Sequence, residues 1–202
     1  MAPSCRIYRL DVPPVIEDEA LQDLLKRLPA WRLEKALSYK FPLDRFLCAQ
    51  AFCLLAEGLE WDFGIKGPLQ FGYSPLGKPF LAGHPEIHFN ISHCRRCICC
   101  AVSDRPVGID VEEAQFDPEF ARAVLSPQEL ERVLDSDSPQ MEFAVLWTLK
   151  ESFLKMTGEG VKDDMKEVLR GAVADFRTER YPEGGYAISV AMLHSDSSQI
   201  LL

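Results

Sequence analysis

The chain has 202 residues, of which 47% are hydrophobic and 26% charged, a balance typical of a folded, soluble protein. Its net charge of −9 and the absence of a basic stripe argue against general nucleic-acid binding. No apolar run approaches the roughly 18 residues of a membrane span, and the first residues lack the apolar segment of a signal peptide. Seven cysteines without an export signal favour free thiols in a reducing cytoplasm.

Charge is distributed unevenly along the chain. Residues 1–105 hold 13 Lys and Arg against 12 Asp and Glu, whereas residues 106–202 hold 9 against 19. This asymmetry indicates a division of labour, with cations in the first half and metal-binding or solvating carboxylates in the second.

The first half opens with a strand and continues with helices. RIYRLDV alternates well enough to predict a strand over residues 6–12. Helical periodicity covers Glu17–Leu28 and Pro29–Tyr39. A longer helix has Pro42 in its first turn and is predicted to end at Gly58.

Three further strands are predicted in the middle of the chain, with the sequences EIHFNIS, CICCAVS and PVGIDVEE. In the first, apolar residues alternate with His88, Asn90 and Ser92, which indicates a half-buried strand. Short turns between the three predict a meander. Because the first and third strands of a meander run the same way, Ser92 and Asp110 should lie at one edge.

The second half repeats the helical theme. Ser126-Pro127-Gln128-Glu129 is a capping box, and a longer helix is predicted from Pro139 to Gly158. YAISVAML supplies a late strand at residues 186–193. A shift of 100 residues places Gly58 on Gly158, so the pattern predicts a pseudo-duplicated α+β protein.

Carboxylates provide the first candidate site. Asp110 and Glu112 are two apart on a predicted strand, so both side chains leave the same face. Oxygen ligands of this kind suit Mg²⁺ bound together with substrate phosphates, although a solvated strand end is the alternative. Glu151 and Lys155 share one face of the long helix, either as a surface ion pair or as a partly buried site.

Cations provide the second candidate site. Gly77-Lys78-Pro79 either presents a lysine to an anion or is simply a turn. Lys35, Lys40 and Arg45 mark a helix–helix junction where phosphate could bind, although a solvated helical surface is the alternative.

A cysteine-rich segment follows the predicted strand that carries Ser92. A zinc or redox module could use residues drawn from this segment: His93, Cys94, Cys97, Cys99 and Cys100. Adjacent cysteines on a strand point to opposite faces, and no second ligand pair lies at workable spacing. The cysteines are therefore better interpreted as small strand residues.

Five motifs occur together in this order: Lys40/Arg45, GKP (77–79), FNISH (89–93), VGIDVEE (107–113) and LWTLKESFLKMTGEG (146–160). In combination they resemble a 4′-phosphopantetheinyl transferase of the surfactin-synthetase-activating (Sfp) type, over about residues 31–162. The resemblance implies two similar α/β halves in one chain, related by a pseudo-twofold, with the ligand cleft between them. We expect residues 1–105 to form the coenzyme A phosphate-binding half and residues 106–202 the Mg²⁺-binding and catalytic half.

The resemblance also implies roles for the acidic and basic residues. Asp110, Glu112 and Glu151 would hold Mg²⁺, with Mn²⁺ as the alternative, against the coenzyme A pyrophosphate. Glu151 would be the general base, and Lys155 would neutralise charge on the phosphates. His93 would belong both to the catalytic group and to the coenzyme A site.

The remaining coenzyme A contacts are implied in the same way. Ser92 and His93 would bind a phosphate, near Gly77, Lys78 and Pro79, while Lys35, Lys40 and Arg45 would hold the 3′-phosphate end. Two departures from the family pattern stand out. Cys94 replaces a serine that is common after the histidine, and Ala51 and Leu55 lie opposite Glu151 and Lys155 in the first half, so one metal site is expected.

The expected activity is transfer of 4′-phosphopantetheine from coenzyme A to a serine of an apo acyl or peptidyl carrier protein. The expected protein is a cytoplasmic monomer that does not bind nucleic acid or membrane. A catalytically silent coenzyme A-binding or carrier-binding protein is the alternative, and a zinc module is a weaker one.

Overall fold

The computed structural model describes residues 5–160 and 162–194. It is a mixed helix and sheet structure, which confirms the α+β prediction. The strands are β1 (Arg6–Asp11), β2 (Phe71–Tyr73), β3 (Pro79–Leu81), β4 (His88–His93), β5 (Cys97–Ser103), β6 (Val107–Glu113), β7 (Ala174–Tyr181) and β8 (Tyr186–Leu193). The helices are α1 (Asp18–Lys26), α2 (Ala30–Ser38), α3 (Pro42–Phe63), α4 (Pro118–Val124), α5 (Pro127–Leu134) and α6 (Pro139–Thr157), with one 3₁₀ turn, Met165–Glu167.

The first sheet has the order β1-β5-β4 and is antiparallel throughout. Its central strand, β5, is buried along its whole length, and α3 packs against it. One face contributes Ile98, Cys100 and Val102 to a core shared with Leu55 and Leu59 of α3. The alternation of β5 therefore places Cys100 in one core and Cys99 in another, as predicted.

The end of α3 differs from the prediction. Gly58 does not end the helix, which continues to Phe63 and is capped by Gly64 with φ +67°. A Cβ atom on Gly58 would lie 2.5 Å from the ring of Tyr8, so this glycine makes room for an aromatic side chain of β1. The 100-residue shift therefore does not align the two helix ends, since Gly158 is the left-handed cap of α6.

The second sheet has the order β6-β8-β7 and is also antiparallel. Helix α6 lies across β6 and β8. A Cβ atom on Gly108 would lie 2.0 Å from the carbonyl oxygen of Ser152 and 2.3 Å from the backbone nitrogen of Met156. The backbone of α6 therefore rests directly on the backbone of β6.

The predicted meander is wrong, because β6 pairs with β8 in the second sheet rather than with β5. The two sheets are nevertheless joined at β4 and β6 by side chains. Asn90 Oδ1 accepts a hydrogen bond from the Ile109 backbone N–H at 2.9 Å, and Ser92 Oγ accepts one from the Val111 N–H at 3.4 Å. The prediction of a half-buried β4 is therefore wrong at Asn90 and Ser92, which are 9% and 7% exposed because the polar face of the strand packs against β6. Ser92 does lie beside Asp110, as expected, although the two strands belong to different sheets.

Several predicted ends are confirmed. The capping box at Ser126 and Glu129 is formed, and α6 runs from Pro139 to the cap at Gly158. Strands β2, β3 and β7 were not predicted. Within residues 5–160 and 162–194, the longest helices are too short or too polar to cross a membrane.

Candidate active site

The side chain of Asp110 is the centre of the site. It is 2% exposed, and its Oδ1 atom accepts hydrogen bonds from Ser92 Oγ at 2.8 Å and from Lys155 Nζ at 2.5 Å. Lys155 Nζ also donates to Ser92 Oγ at 3.0 Å. Strand β4, strand β6 and helix α6 thus each contribute one member of a closed polar triangle.

Lys155 has a different partner from the one that helical spacing suggested. The i,i+4 rule pairs it with Glu151, but its ion pair in the structure is with Asp110 on β6. Its side chain is 30% exposed, whereas the Asp110 side chain is 3% exposed. The lysine therefore reaches from the rim of the site towards a carboxylate at its base.

Two buried carboxylate oxygens in the site have no hydrogen-bond partner among the described residues: Asp110 Oδ2 and Glu151 Oε1. Buried polar atoms are normally paired, because leaving one unpaired costs about 1–3 kcal/mol of stability, and more if the group is charged. Such a pair of orphaned oxygens is the donor set that a hard cation such as Mg²⁺ prefers. The residues present therefore fit the metal that the sequence motifs imply.

Glu112 and Glu151 have perturbed acidities. Burial, reinforced by the charge of Asp110, raises the pKa of Glu112 to about 7, while the Trp147 indole and Lys155 oppose that rise. Burial and the charge of Asp110 likewise raise the pKa of Glu151. Burial is the main reason and the neighbouring negative charges add to it, and a cation among the carboxylates would favour their charged forms.

Even so, no three His, Cys, Asp or Glu side chains in residues 5–160 and 162–194 converge as a ready-made metal cage. The ion pair between Lys155 and Asp110 supplies a physical reason, since an ammonium already satisfies one oxygen of the central carboxylate.

His93 lies at the end of β4, next to Ser92. The residue is exposed at the surface, yet the protein around it partly desolvates the ring and so lowers its pKa. The positive charges of Lys155 and Arg32 lower the pKa further. The ring therefore favours its neutral form, and the two charges that act on it come from different helices.

The Lys78 ammonium points into the protein rather than outward, as a lysine that presents its charge to a phosphate would. Its Nζ donates hydrogen bonds to the carbonyl oxygens of Val107 at 3.0 Å and Met156 at 2.7 Å, which joins the start of β6 to the end of α6. Burial lowers its pKa to about 8. A cavity of about 210 Å³ brings Lys78 together with Gly77, Pro79, Glu151 and Lys155, so the GKP turn borders the site.

The cations of the helix junction are placed at the surface. Lys35 and Lys40 are exposed, and the Lys40 ammonium lies 5.3 Å from the centre of the Phe41 ring. Arg45 donates from Nε to the Tyr39 carbonyl at 2.8 Å. The sequence reasoning missed Arg32, whose buried Nε has no partner among the described residues and whose charge acts on His93. Its position on α2, three residues before Lys35, could have identified it as a further candidate cation of the helix junction.

A second cavity, of about 390 Å³, adjoins the carboxylates. It lies between α4 and α6 and is lined by Glu112, Trp147, Phe120 and Phe143, among others. The site thus has an apolar side as well as a charged one.

The cysteines do not form a site. All seven are free thiols, and burial raises the pKa of Cys94 to about 11 and that of Cys97 and Cys100 to about 12. Thiols with pKa values this high are poor nucleophiles and poor metal ligands at neutral pH. The zinc and redox interpretation of this segment is not favoured.

Comparisons with known proteins agree with the geometry. Residues 106–198 match the family model of the 4′-phosphopantetheinyl transferase superfamily. The 4′-phosphopantetheinyl transferase psf-1 of Bacillus pumilus is 40% identical over 165 residues, which cover 77% of this chain and 70% of that protein. The 4′-phosphopantetheinyl transferase HetI of Nostoc sp. is 32% identical over 168 residues, which cover 78% of this chain and 71% of that protein.

A shorter match links the chain to Sfp. The 4′-phosphopantetheinyl transferase Sfp of Bacillus subtilis is 37% identical over 99 residues, which cover 48% of this chain and 44% of that protein. The chain thus spans less than half the length of Sfp and about seven tenths of psf-1 and HetI. On the matches to psf-1 and HetI, this chain belongs to the 4′-phosphopantetheinyl transferase superfamily.

Proposed function

We propose that this protein transfers the 4′-phosphopantetheine group of coenzyme A to a serine hydroxyl of an apo acyl or peptidyl carrier protein. The products are the holo-carrier and adenosine 3′,5′-bisphosphate. The observation that carries the proposal is the triangle of Ser92, Asp110 and Lys155, with Glu151 beside it, in a chain that belongs to this superfamily.

The carboxylates are proposed to hold Mg²⁺, with Mn²⁺ as the alternative, through Asp110, Glu112 and Glu151. The orphaned oxygens of Asp110 and Glu151 and the raised pKa of Glu112 support this assignment. When bound, the metal neutralises charge on the pyrophosphate and so stabilises the departing bisphosphate.

Glu151 is proposed as the general base for the carrier serine. Burial raises its pKa, which brings a carboxylate closer to the range in which a base is effective at neutral pH. The proton of the serine hydroxyl passes to Glu151, directly or through water, as the oxygen attacks the phosphorus and the bond to the bisphosphate breaks.

Lys155 and His93 are proposed to meet the negative charge of the transferred group. Phosphoryl transfer depends mainly on positioning and on neutralising charge that spreads over the non-bridging oxygens. Lys155 stands at the rim and His93 is exposed at the end of β4, so both can turn a donor towards a phosphate, while the buried Ser92 hydroxyl donates to Asp110 and would have to exchange that partner to reach one.

The remaining coenzyme A contacts are proposed on both sides of the site. Lys35, Lys40 and Arg45 would bind the 3′-phosphate, with Gly77, Lys78 and Pro79 along the cleft. The hydrogen bonds of Lys78 to Val107 and Met156 favour a bracing role for its ammonium, with the turn itself facing the ligand.

The division into two similar halves, 1–105 and 106–202, is part of the same proposal. Each three-stranded sheet has a long helix against it, and the polar cluster lies where β4 meets β6. A monomeric, cytoplasmic enzyme is proposed as well, and seven free thiols suit a reducing compartment.

Intact-mass measurement of an apo carrier protein, incubated with coenzyme A, Mg²⁺ and this protein, tests the activity. The carrier should gain one phosphopantetheine group, and Glu151→Gln should reduce the rate by about 100-fold or more. Glu159→Gln, an exposed glutamate paired with Lys162, is the matched control and should leave the rate unchanged. Coenzyme A binding with no mass gain on a panel of fatty-acid, polyketide and peptide carriers would instead indicate a silent binding protein.

A further inference from the structure

The ammonium of Lys155 occupies the position in which the carboxylate cluster needs a positive charge. It binds Asp110 Oδ1 at 2.5 Å and Ser92 Oγ at 3.0 Å, and it is the cation paired with this aspartate in the described chain. Asp110 is 2% exposed, and its charge adds to the effect of burial in raising the pKa of Glu112 and Glu151. Without a cation, the buried charge of Asp110 would act unopposed on Glu112 and Glu151, which are themselves half-buried.

A lysine in this position also opposes the entry of a metal. An ammonium within a few ångströms of a divalent cation repels it strongly at the dielectric of a partly buried site. Lys155 therefore stabilises the metal-free cluster and weakens the affinity of that same cluster for a metal bound alone.

Lys155 can leave this position because of where its side chain starts. The side chain is 30% exposed and stands at the rim, on α6 one turn beyond Glu151, so its ammonium can turn outward while its backbone stays fixed. A pyrophosphate at the rim would give it a new anionic partner. Once the Lys155 ammonium has left Asp110, both oxygens of that carboxylate are free to bind a metal.

We propose that Lys155 is the resident counter-cation of the cluster and exchanges Asp110 for a phosphate oxygen when the diphosphate ligand binds, so that metal and diphosphate load together. The inference rests on the proposed function for the identity of the metal and the diphosphate. It concerns binding, so it can fail while the transfer activity stands, and it can hold even where no carrier is modified.

The test is titration of Mn²⁺ against the folded protein, followed by electron paramagnetic resonance of the free ion, with and without coenzyme A. In the wild-type protein, coenzyme A should tighten Mn²⁺ binding by about tenfold or more, since its pyrophosphate both supplies oxygen ligands and removes the competing ammonium. Equal Mn²⁺ affinity with and without coenzyme A would overturn the proposal without the use of any variant.

Lys155→Met provides the second arm. It should bind Mn²⁺ alone about tenfold more tightly than the wild type, and the factor by which coenzyme A tightens its Mn²⁺ binding should be about tenfold smaller than in the wild type, because only ligation by the pyrophosphate remains. Lys155→Arg keeps the charge and should behave like the wild type. Lys162→Met is the matched control, because Lys162 is a nearby exposed lysine whose partner, Glu159, lies outside the cluster. Mn²⁺ affinity in Lys155→Met that is equal to or weaker than the wild type would refute the exchange.

Discussion

Gly108→Ala tests whether the contact between α6 and β6 sets the geometry of the site. A Cβ atom at this position would lie 2.0 Å from the Ser152 carbonyl oxygen, where ordinary contacts begin at 3.4 Å. Because the obstructing atoms belong to the helix backbone, no side chain can turn aside. The helix must therefore rise by about 1.4 Å or tilt by a comparable amount.

The displacement would act on both stability and catalysis. Overpacking of this kind destabilises a fold by about 1–3 kcal/mol. Helix α6 carries Glu151 and β6 carries Asp110, so the same movement separates the base from the cluster. A misplacement of about 1 Å is enough to reduce kcat/KM by about 100-fold.

Urea denaturation and initial rates of carrier modification separate the two effects. Gly171→Ala is the control, because Gly171 has φ +70° and nothing within 4 Å of its would-be Cβ atom. That variant should lose about 1 kcal/mol of stability from backbone strain and keep its kcat. Wild-type kcat in Gly108→Ala, or a crystal structure in which α6 shifts by less than about 0.5 Å, would refute the reasoning.

Two further predictions concern buried charge. Burial raises the pKa of Glu112 from its ordinary 4.5 to about 7, so ionising this group destabilises the metal-free fold progressively as pH rises through that window. With EDTA at pH 8, Glu112→Gln should therefore be more stable to urea than the wild type, by about 1–2 kcal/mol after allowance for solvent screening. Below pH 4.5 the difference in stability should vanish. A variant less stable than the wild type at pH 8 would contradict this. Lys150 is fully buried and pairs with Glu129 at 3.0 Å and the Met165 carbonyl at 2.9 Å, so Lys150→Met should destabilise the fold by about 3 kcal/mol. Lys166→Met, at an exposed position, should change the urea midpoint little, and equal losses in the two variants would argue against a role for burial.

The sequence predicted five of the six helices in the described residues, missing α4, together with the capping box and the strand that bears Asp110, because those features depend on local periodicity and turn chemistry. It could not predict the partner of β6. A short turn after β5 favoured a hairpin, yet β6 pairs with β8, whose residues lie about 80 positions later in the chain. Alternation tells which side chains share a face but not which strand lies beside them.

The site shows the same limit. The motifs indicated the elements that form the site, namely β4, β6 and α6. The i,i+4 rule, however, assigned Lys155 to Glu151, whereas its partner is Asp110 on β6. Glycine often ends helices, which predicts a helix end at Gly58, whereas in the structure its missing side chain accommodates Tyr8. In both cases a contact across the fold outweighed a local rule.

The buried cysteines of β5 give the protein internal reporters of its own opening. Cys99 belongs to the core between the two sheets, whereas Cys100, the next residue, belongs to the core beneath α3. Both thiols are unreactive while buried, so an alkylating reagent modifies each one only when its own core opens. Peptide mapping after timed alkylation would thus compare, in a single strand, how often the sheets part with how often the long helix lifts away.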